Sequence, residues 1–461
     1  MLFHSTRGKD KDKTFEQVLM QGLADDGGLF IPDNWPKVDI NKLKELDTFL
    51  DVAKYIVPMF TQSSFDKGEV EEVLNNTWHN FSEKDLIKIF DIDESTAILE
   101  LFHGPTAAFK DFGLQLAAAF FNKTLQTQNK TAVVFGATSG DTGSAAIDAC
   151  KEFDLIKSFI LIPDGNMSEI QRKQMTTVDK SNVFPILVSG TFDDCQDIVK
   201  KGFSERSFLR DDQYLLAVNS INWVRIIGQI CYYFYASLIV NKLSHPLNFS
   251  VPTGNFGNVF ACYAASKMGM PLEKIIVAVN SNDILDRFFK NNDYSKKTVS
   301  ETISPSMDIS VASNFERLMY DFYLNRNSEA CSNLYNNFPE YGIKIDDEMW
   351  QKSEDLFMSY SINDDSTYES MKFYNNEYNY VMDPHTAVAA EAVSSLKDKL
   401  KNKTIILSTA HPAKFPNALD NAGIISDDIP DNLSEVISKK EVASKLSASE
   451  DSIFNYIKEN N

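Results

Sequence analysis

The residues able to do chemistry gather in four short segments, three of them at the end of a strand-like run. The first is HGPTAAFKDFG (residues 103–113), in which Lys110 precedes the Leu-, Gln- and Ala-rich run Leu114–Phe121 that predicts a helix opening near the lysine. There the amine faces the positive end of the helix dipole, while Ala108, Phe109 and Phe112 add desolvation. Both effects lower its pKa. An uncharged amine attacks an aldehyde, so the position suits a Schiff-base lysine; an ordinary lysine in a first helical turn is the other reading.

The second segment, GATSGDTGS (136–144), links the run Thr131–Phe135 to a helix from Ala145 to Glu152. Its glycines and small hydroxylated residues let backbone N–H groups approach an anion, which makes Thr138, Ser139, Gly140, Asp141 and Thr142 candidates for holding a carboxylate or phosphate. The loop lacks the GK[ST] ending of an ATP-binding loop and does not match GxGxxG, and a plain tight turn is the alternative. Third, PTGNFGN (252–258) joins the strand Asn248–Val251 to the helix Val259–Lys267 and offers two amides and no acidic side chain, a phosphate cradle. Fourth, the strand Thr404–Leu407 runs into STAHP (408–412), placing hydroxyls at the carboxyl edge of a sheet, where open α/β proteins bind ligands.

These segments need a scaffold, and the chain supplies an α/β rhythm from Thr131 onward. Runs at Thr131–Phe135, Ser158–Ile162, Val183–Val188, Tyr214–Val218, Asn248–Val251, Ile275–Val279 and Ile405–Leu407 alternate with amphipathic stretches, and several are apolar without alternation. That pattern predicts parallel strands covered on both faces. Residues 1–95 differ, with helical stretches at Phe15–Leu23, Leu46–Phe60 and Val70–His79, and read as a separate N-terminal domain. A stretch from about 283 to 380, rich in Asn, Ser, Asp and Tyr, interrupts the rhythm as an insertion or added helical lobe. The tail 431–461 is polar and helix-prone and is expected to pack on the surface.

Composition narrows the function classes. At roughly 150 residues per domain, a chain of 461 residues forms about three domains. Its 45 basic and 65 acidic side chains give a net charge of −20, which disfavours nucleic acid and anionic membranes and obliges an anionic substrate to find a locally positive pocket. Five scattered cysteines without a CxxC pair suggest neither a disulfide framework nor a metal site, and fit a reducing compartment. The start is polar and no run approaches the length of a membrane span, so a soluble cytoplasmic protein is expected.

A lysine, two anion loops and a terminal hydroxyl together meet the needs of a pyridoxal phosphate enzyme of the tryptophan-synthase-β type. HGPTAAFKDFG, GATSGDTGSAA, PTGNFGN and STAHPAKF resemble the motifs of the threonine synthase family in its long bacterial and fungal form. Ser5–Gly8 with Gly22–Leu29, and Asn219–Arg225 with Gln229 and Tyr232, agree; the match runs from residue 5 to about 420. The resemblance implies fold type II: two open, parallel-type α/β lobes with the cofactor between them. Residues 96–240 form the smaller lobe with the lysine, and 241–430 the larger lobe with the phosphate loop and the insertion.

It also implies residue roles. Lys110 would carry the cofactor with Phe109 beside it; Gly254, Asn255, Phe256, Gly257 and Asn258 would hold its phosphate, and Thr409 would face the pyridine nitrogen. Asp141, where many relatives have Asn, would lie near the ring oxygen, and the Thr138–Thr142 loop would receive the substrate carboxylate. The implied reaction is that of a carbon–oxygen lyase, converting O-phospho-L-homoserine and water to L-threonine and phosphate by γ-elimination and β-hydration in threonine biosynthesis. Arg225, with Ser220 and Asn222, is the leading candidate for the substrate phosphate, since a guanidinium grips phosphate through a bidentate fork. His103 and His411 flank the motifs either as structural histidines or as proton carriers. No metal, nucleic acid or membrane partner is expected, and the chain is expected to act as a monomer or homodimer. The rivals are a serine or threonine dehydratase-like β-eliminase with the same cofactor, and a non-catalytic α/β protein binding a phosphorylated metabolite.

Overall fold

The computed structural model describes residues 1–461 except Ser139 and Asn166. In chain order its strands are β1 (Phe3–Ser5), β2 (Phe30–Pro32), β3 (Lys88–Asp91), β4 (Thr96–Glu100), β5 (Thr131–Ala137), β6 (Ile156–Pro163), β7 (Val183–Ser189), β8 (Gln213–Leu216), β9 (Leu247–Pro252), β10 (Leu272–Val279), β11 (Phe357–Ser361), β12 (Thr404–Ser408) and β13 (Ser444–Ser447). All seven strands read from the sequence are present. They form a six-stranded sheet in the order β11-β10-β9-β12-β4-β3, a five-stranded sheet in the order β13-β7-β6-β5-β8, and the small pair β1-β2. Both large sheets are parallel except for β3, which runs antiparallel to β4.

The sheet order explains how distant motifs meet. β9, β12 and β4 are neighbours, with Ile406 opposite both Ser250 and Ile98, so their carboxyl ends emerge side by side. From those ends come the PTGNFGN loop, the hydroxyls after Thr404–Ser408 and the Lys110 segment. β5, interior to the second sheet, delivers the Thr138–Thr142 loop.

Two helices bind the lobes into one core. Helix Lys110–Gln128 and helix Trp223–Asn241 cross where each has a glycine. A Cβ on Gly113 would lie 2.9 Å from Arg225 Cα, and one on Gly228 2.9 Å from the Phe112 carbonyl oxygen. This close crossing sets Arg225 against the first turns of the lysine helix. Trp223–Asn241 is apolar and long enough to span a membrane, contrary to the sequence expectation that no run approaches that length, but it is buried in the protein core. Its Tyr232, Tyr233, Phe234 and Tyr235 are core residues.

The structure redraws the expected boundaries in three places. β4, expected to open the smaller lobe, lies in the six-stranded sheet beside β12. The insertion is not purely helical: β11 pairs in parallel with β10, and Phe288, Phe315, Tyr323 and Phe357 knit the segment into the main core. Nor is the tail only surface packing. β13 extends the second sheet beside β7, and Ile453, Phe454 and Ile457 of helix Glu450–Asn460 are buried against Val133, Phe135 and Phe159. The five cysteines are free and buried.

Gly228→Ala should cost about 1–3 kcal/mol of stability, because its methyl meets backbone that cannot yield. Urea unfolding measures this, and an unchanged midpoint would show that the helices do not cross as closely as described.

Candidate active site

Lys110 opens its helix with its side chain 12% exposed. The loop leading to it is shaped for that placement. Asp111 accepts hydrogen bonds from Thr106 N (2.9 Å) and Thr106 Oγ1 (2.7 Å), and a Cβ on Gly104 would sit 2.3 Å from its Oδ2, so only glycine fits there. Ala107 adopts a left-handed φ of 53°, a strained conformation for alanine. The loop is pinned to the end of β12: Phe109 N donates to Thr409 O (2.9 Å) and His411 N donates to Ala107 O (3.0 Å). Thr409, itself buried, therefore stands beside the Lys110 segment.

Lys110 Nζ lies 3.6 Å from Asp141 Oδ2 and donates to Ser306 Oγ at 3.3 Å. Burial, the largest influence, lowers the amine's pKa; Asp141 opposes that, while the charges of Lys414 and Arg225 add to it. Burial alone would raise the Asp141 carboxyl, but Lys414 and Lys110, with the Gln171 amide, hold it well below the usual carboxylate range. Asp141 Oδ1 receives Lys414 Nζ at 2.8 Å and Gln171 Nε2 at 2.9 Å.

The PTGNFGN loop has the form of a phosphate cradle. Phe256 turns through a left-handed φ of 63°, and Gly257 begins the helix Gly257–Met268. Gly254 passes under the Pro305–Met307 turn, where a Cβ would come within 2.7 Å of Ser306 O. Asn255 accepts Asn314 N at 3.0 Å through its carbonyl. Asn258 Oδ1 takes the hydroxyls of Tyr232 and Tyr233, which fixes the amide and leaves the buried Nδ2 without a partner. An orphaned donor beside a glycine turn at a helix start is what a phosphate satisfies, so the residues present fit pyridoxal phosphate.

The remaining expected residues divide into two groups. Thr138 Oγ1 accepts from Gly140 N (3.2 Å) and Gly143 N (3.0 Å), so its hydroxyl shapes the anion loop; Gly140 and Thr142 flank Asp141 at the helix start, and Ser139 lies outside the described residues. Arg225 is buried and donates to Val218 O at 3.3 Å, with Nε unpartnered. Burial lowers its pKa to about 10, and among the described residues it has no carboxylate partner. It is not the surface ion pair that its residue type would also allow. Ser220 Oγ lies 3.1 Å from Ser313 Oγ, at the mouth of the Arg225 segment. Asn222 is different: its Oδ1 caps the helix at Val224 N and its Nδ2 donates to Leu19 O, so both polar atoms are spent on the fold.

Sequence reasoning assigned no part to Lys414, Ser306, Gln171 or His385. Lys414 lies inside STAHPAKF, and Asp383-Pro-His385 is a visible helix start, but nothing in a residue string brings Ser306 to Lys110. The structure does so through His385, whose Nδ1 meets Asp383 Oδ1 at 2.8 Å and whose Nε2 accepts Ser306 N at 3.2 Å. His103 pairs with Glu100 at 2.9 Å, and His411 Nδ1 accepts Ala413 N at 3.2 Å, holding the turn that carries Lys414.

Comparison with known proteins agrees with this geometry. Models of the families described as pyridoxal-phosphate dependent enzyme, threonine synthase N terminus and threonine synthase C-terminal match residues 96–333, 2–78 and 386–457. Threonine synthase of Pseudomonas aeruginosa is 40% identical over 96% of this chain and 94% of its own. The chain belongs to the threonine synthase family. Threonine synthase of Saccharomyces cerevisiae is likewise 40% identical, over 91% of this chain and 89% of its own. A crystal structure of threonine synthase from Brucella melitensis with pyridoxal phosphate bound superposes with a TM-score of 0.95 at 35% identity, covering 99% of both chains. The fold is therefore that of the pyridoxal-phosphate-dependent threonine synthases, fold type II, and the cofactor is pyridoxal phosphate.

His411 offers a pH test of the site's dryness. Burial lowers its pKa from 6.5 to about 4, so the folded state favours the neutral ring. Its contribution to stability is fully present above pH 6.5 and is lost as the pH falls from there towards 4. Urea unfolding across that window should show a decline that His411→Asn reduces; an identical pH slope in the variant would show that the ring is solvated.

Proposed function

We propose that this protein converts O-phospho-L-homoserine and water to L-threonine and inorganic phosphate, with Lys110 as the cofactor lysine. The supporting observation is that the Lys110 amine lies among more anion-binding groups than the cofactor phosphate needs, with the Arg225 charge near enough to bear on it. The Gly254–Asn258 cradle serves that phosphate. The Thr138–Thr142 loop at a helix start suits the substrate carboxylate, and Arg225, buried and without a carboxylate partner among the described residues, suits a second phosphate. A serine or threonine dehydratase acts on a substrate with a carboxylate alone and has no use for that guanidinium.

Pyridoxal phosphate supplies an electron sink for charge developed at the substrate carbons. The chain's own groups bind, orient and move protons. Lys110 Nζ, with its pKa lowered by burial, is the base for the substrate's α proton, and Ser306 Oγ at 3.3 Å steadies it. Arg225 would hold the departing phosphate as a Cβ proton is lost and the Cγ–O bond breaks; a proton then returns to Cγ, and water adds its hydroxyl at Cβ and a proton at Cα. Thr409 would offer its hydroxyl to the pyridine nitrogen; being uncharged, it would not force the ring to stay protonated.

Threonine and phosphate should appear in equal amounts when the holoenzyme meets O-phosphohomoserine. Serine deamination without either product would overturn the proposal. Lys110→Ala should abolish turnover together with the cofactor's visible absorbance and its borohydride-trappable adduct. Arg225→Gln should keep the absorbance and raise KM for O-phosphohomoserine about 10–100-fold, the value of a charge-assisted hydrogen bond. An unchanged KM would remove Arg225 from the phosphate site.

A further inference from the structure

Lys414 is a fully buried lysine with no exit to solvent. Its Nζ donates to Asp141 Oδ1 at 2.8 Å and to Thr106 O at 2.7 Å. Burying an ammonium is costly unless it is paired and hydrogen-bonded, and this one is both, on the carboxylate that also faces the cofactor lysine. The two oxygens of Asp141 are divided. Oδ1 is taken by Lys414 and Gln171, while Oδ2 looks towards Lys110 from 3.6 Å, beyond a good hydrogen bond.

That division matters because a carboxylate this deeply buried beside a single lysine would close on it and keep it as an ammonium. An ammonium cannot attack a carbonyl. With Lys414 present, Asp141 already has its counter-charge. The charged and polar groups facing Lys110 come from four elements: Asp141 from helix Asp141–Cys150, Lys414 from the turn Pro412–Lys414, Arg225 from helix Trp223–Asn241 and the Ser306 hydroxyl from the turn Pro305–Met307. Asp141 alone among them favours a charged Lys110, and Lys414 is the group that holds it.

We propose that Lys414 is a positioning residue for the cofactor lysine: by binding Asp141 through Oδ1 it keeps that carboxylate from capturing Lys110, and so leaves a free amine for the cofactor's carbonyl. Lys414 Nζ is engaged by Asp141 and Thr106 O and acts on Lys110 through Asp141. The inference rests on the reading of Lys110 as the cofactor lysine. Together Lys414 and Asp141 present no net charge to Lys110.

The full chain, freed of cofactor, is labelled with trinitrobenzenesulfonate across a pH series, and the Lys110 peptide is quantified by mass spectrometry. In the unaltered chain the Lys110 labelling midpoint should lie below that of surface lysines. Lys414→Met should raise it by about one pH unit or more and slow labelling near neutral pH about tenfold, since each unit is a tenfold change in free amine. Adding Asp141→Asn to Lys414→Met removes both charges and should return the midpoint to near its original value. Should Lys414→Met fail to fold, Asp141→Asn alone leaves Lys414 as an uncompensated cation near Lys110 and should lower the midpoint. A role confined to bracing the fold would lower thermal stability and leave these midpoints unmoved, and that result overturns the proposal. Borohydride reduction of the holoenzyme separates the two claims. Cofactor on another lysine overturns the functional reading itself, whereas cofactor on Lys110 with an unshifted midpoint overturns only the part given to Lys414.

Discussion

On the proposed reading, the whole arrangement depends on burial biasing one amine, that of Lys110, towards its uncharged form. Burial pushes Lys110 that way, and it would push Asp141 towards its neutral form as well, were Lys414 and Lys110 not beside it. A buried carboxylate is tied to a buried cation through one oxygen, with Lys110 facing the other from 3.6 Å. On the proposed reading, charge is balanced there without spending the amine that carries the cofactor. Arg225, buried and without a carboxylate partner among the described residues, is a second cation set inside a chain whose net charge is −20.

Most of the fold can be read as the means of bringing these charges together. Three neighbouring strands, β9, β12 and β4, end side by side and give the phosphate loop, Thr409 and the lysine segment. The crossing at Gly113 and Gly228 carries Arg225 to the same place, and the insertion contributes Ser306 through a turn fastened by His385 and Asp383. The short hydroxyl-bearing stretch after β12 does double service: its backbone pins the Lys110 loop, and its continuation supplies Lys414.

What could be read in the sequence follows from what local chemistry encodes. Apolar strands such as Ile275–Val279 announce themselves, and so do glycine-rich turns between strand and helix. β3, β11 and β13 do not, because edge strands such as Lys88–Asp91 and Ser444–Ser447 need only one paired side and tolerate polar residues. β4 is apolar enough, but its partner β12 lies some three hundred residues away, a pairing that no local pattern shows. At the site, residue type singles out Lys110, Arg225 and Asn258, which the fold buries near one another, whereas the amide of Asn222, which reads equally as an anion ligand and as a helix cap, is engaged by Val224 N and Leu19 O. A buried lysine such as Lys414 looks in sequence like any surface lysine; only its neighbours across the fold distinguish it.

A crystal structure of the holoenzyme tests the central claim most directly. The account predicts unbroken density from Lys110 Nζ to the cofactor, with Lys414 still seated on Asp141 Oδ1 and the cofactor phosphate against Asn258. A cofactor lying free of Lys110, or Lys414 turned away from Asp141, would contradict it.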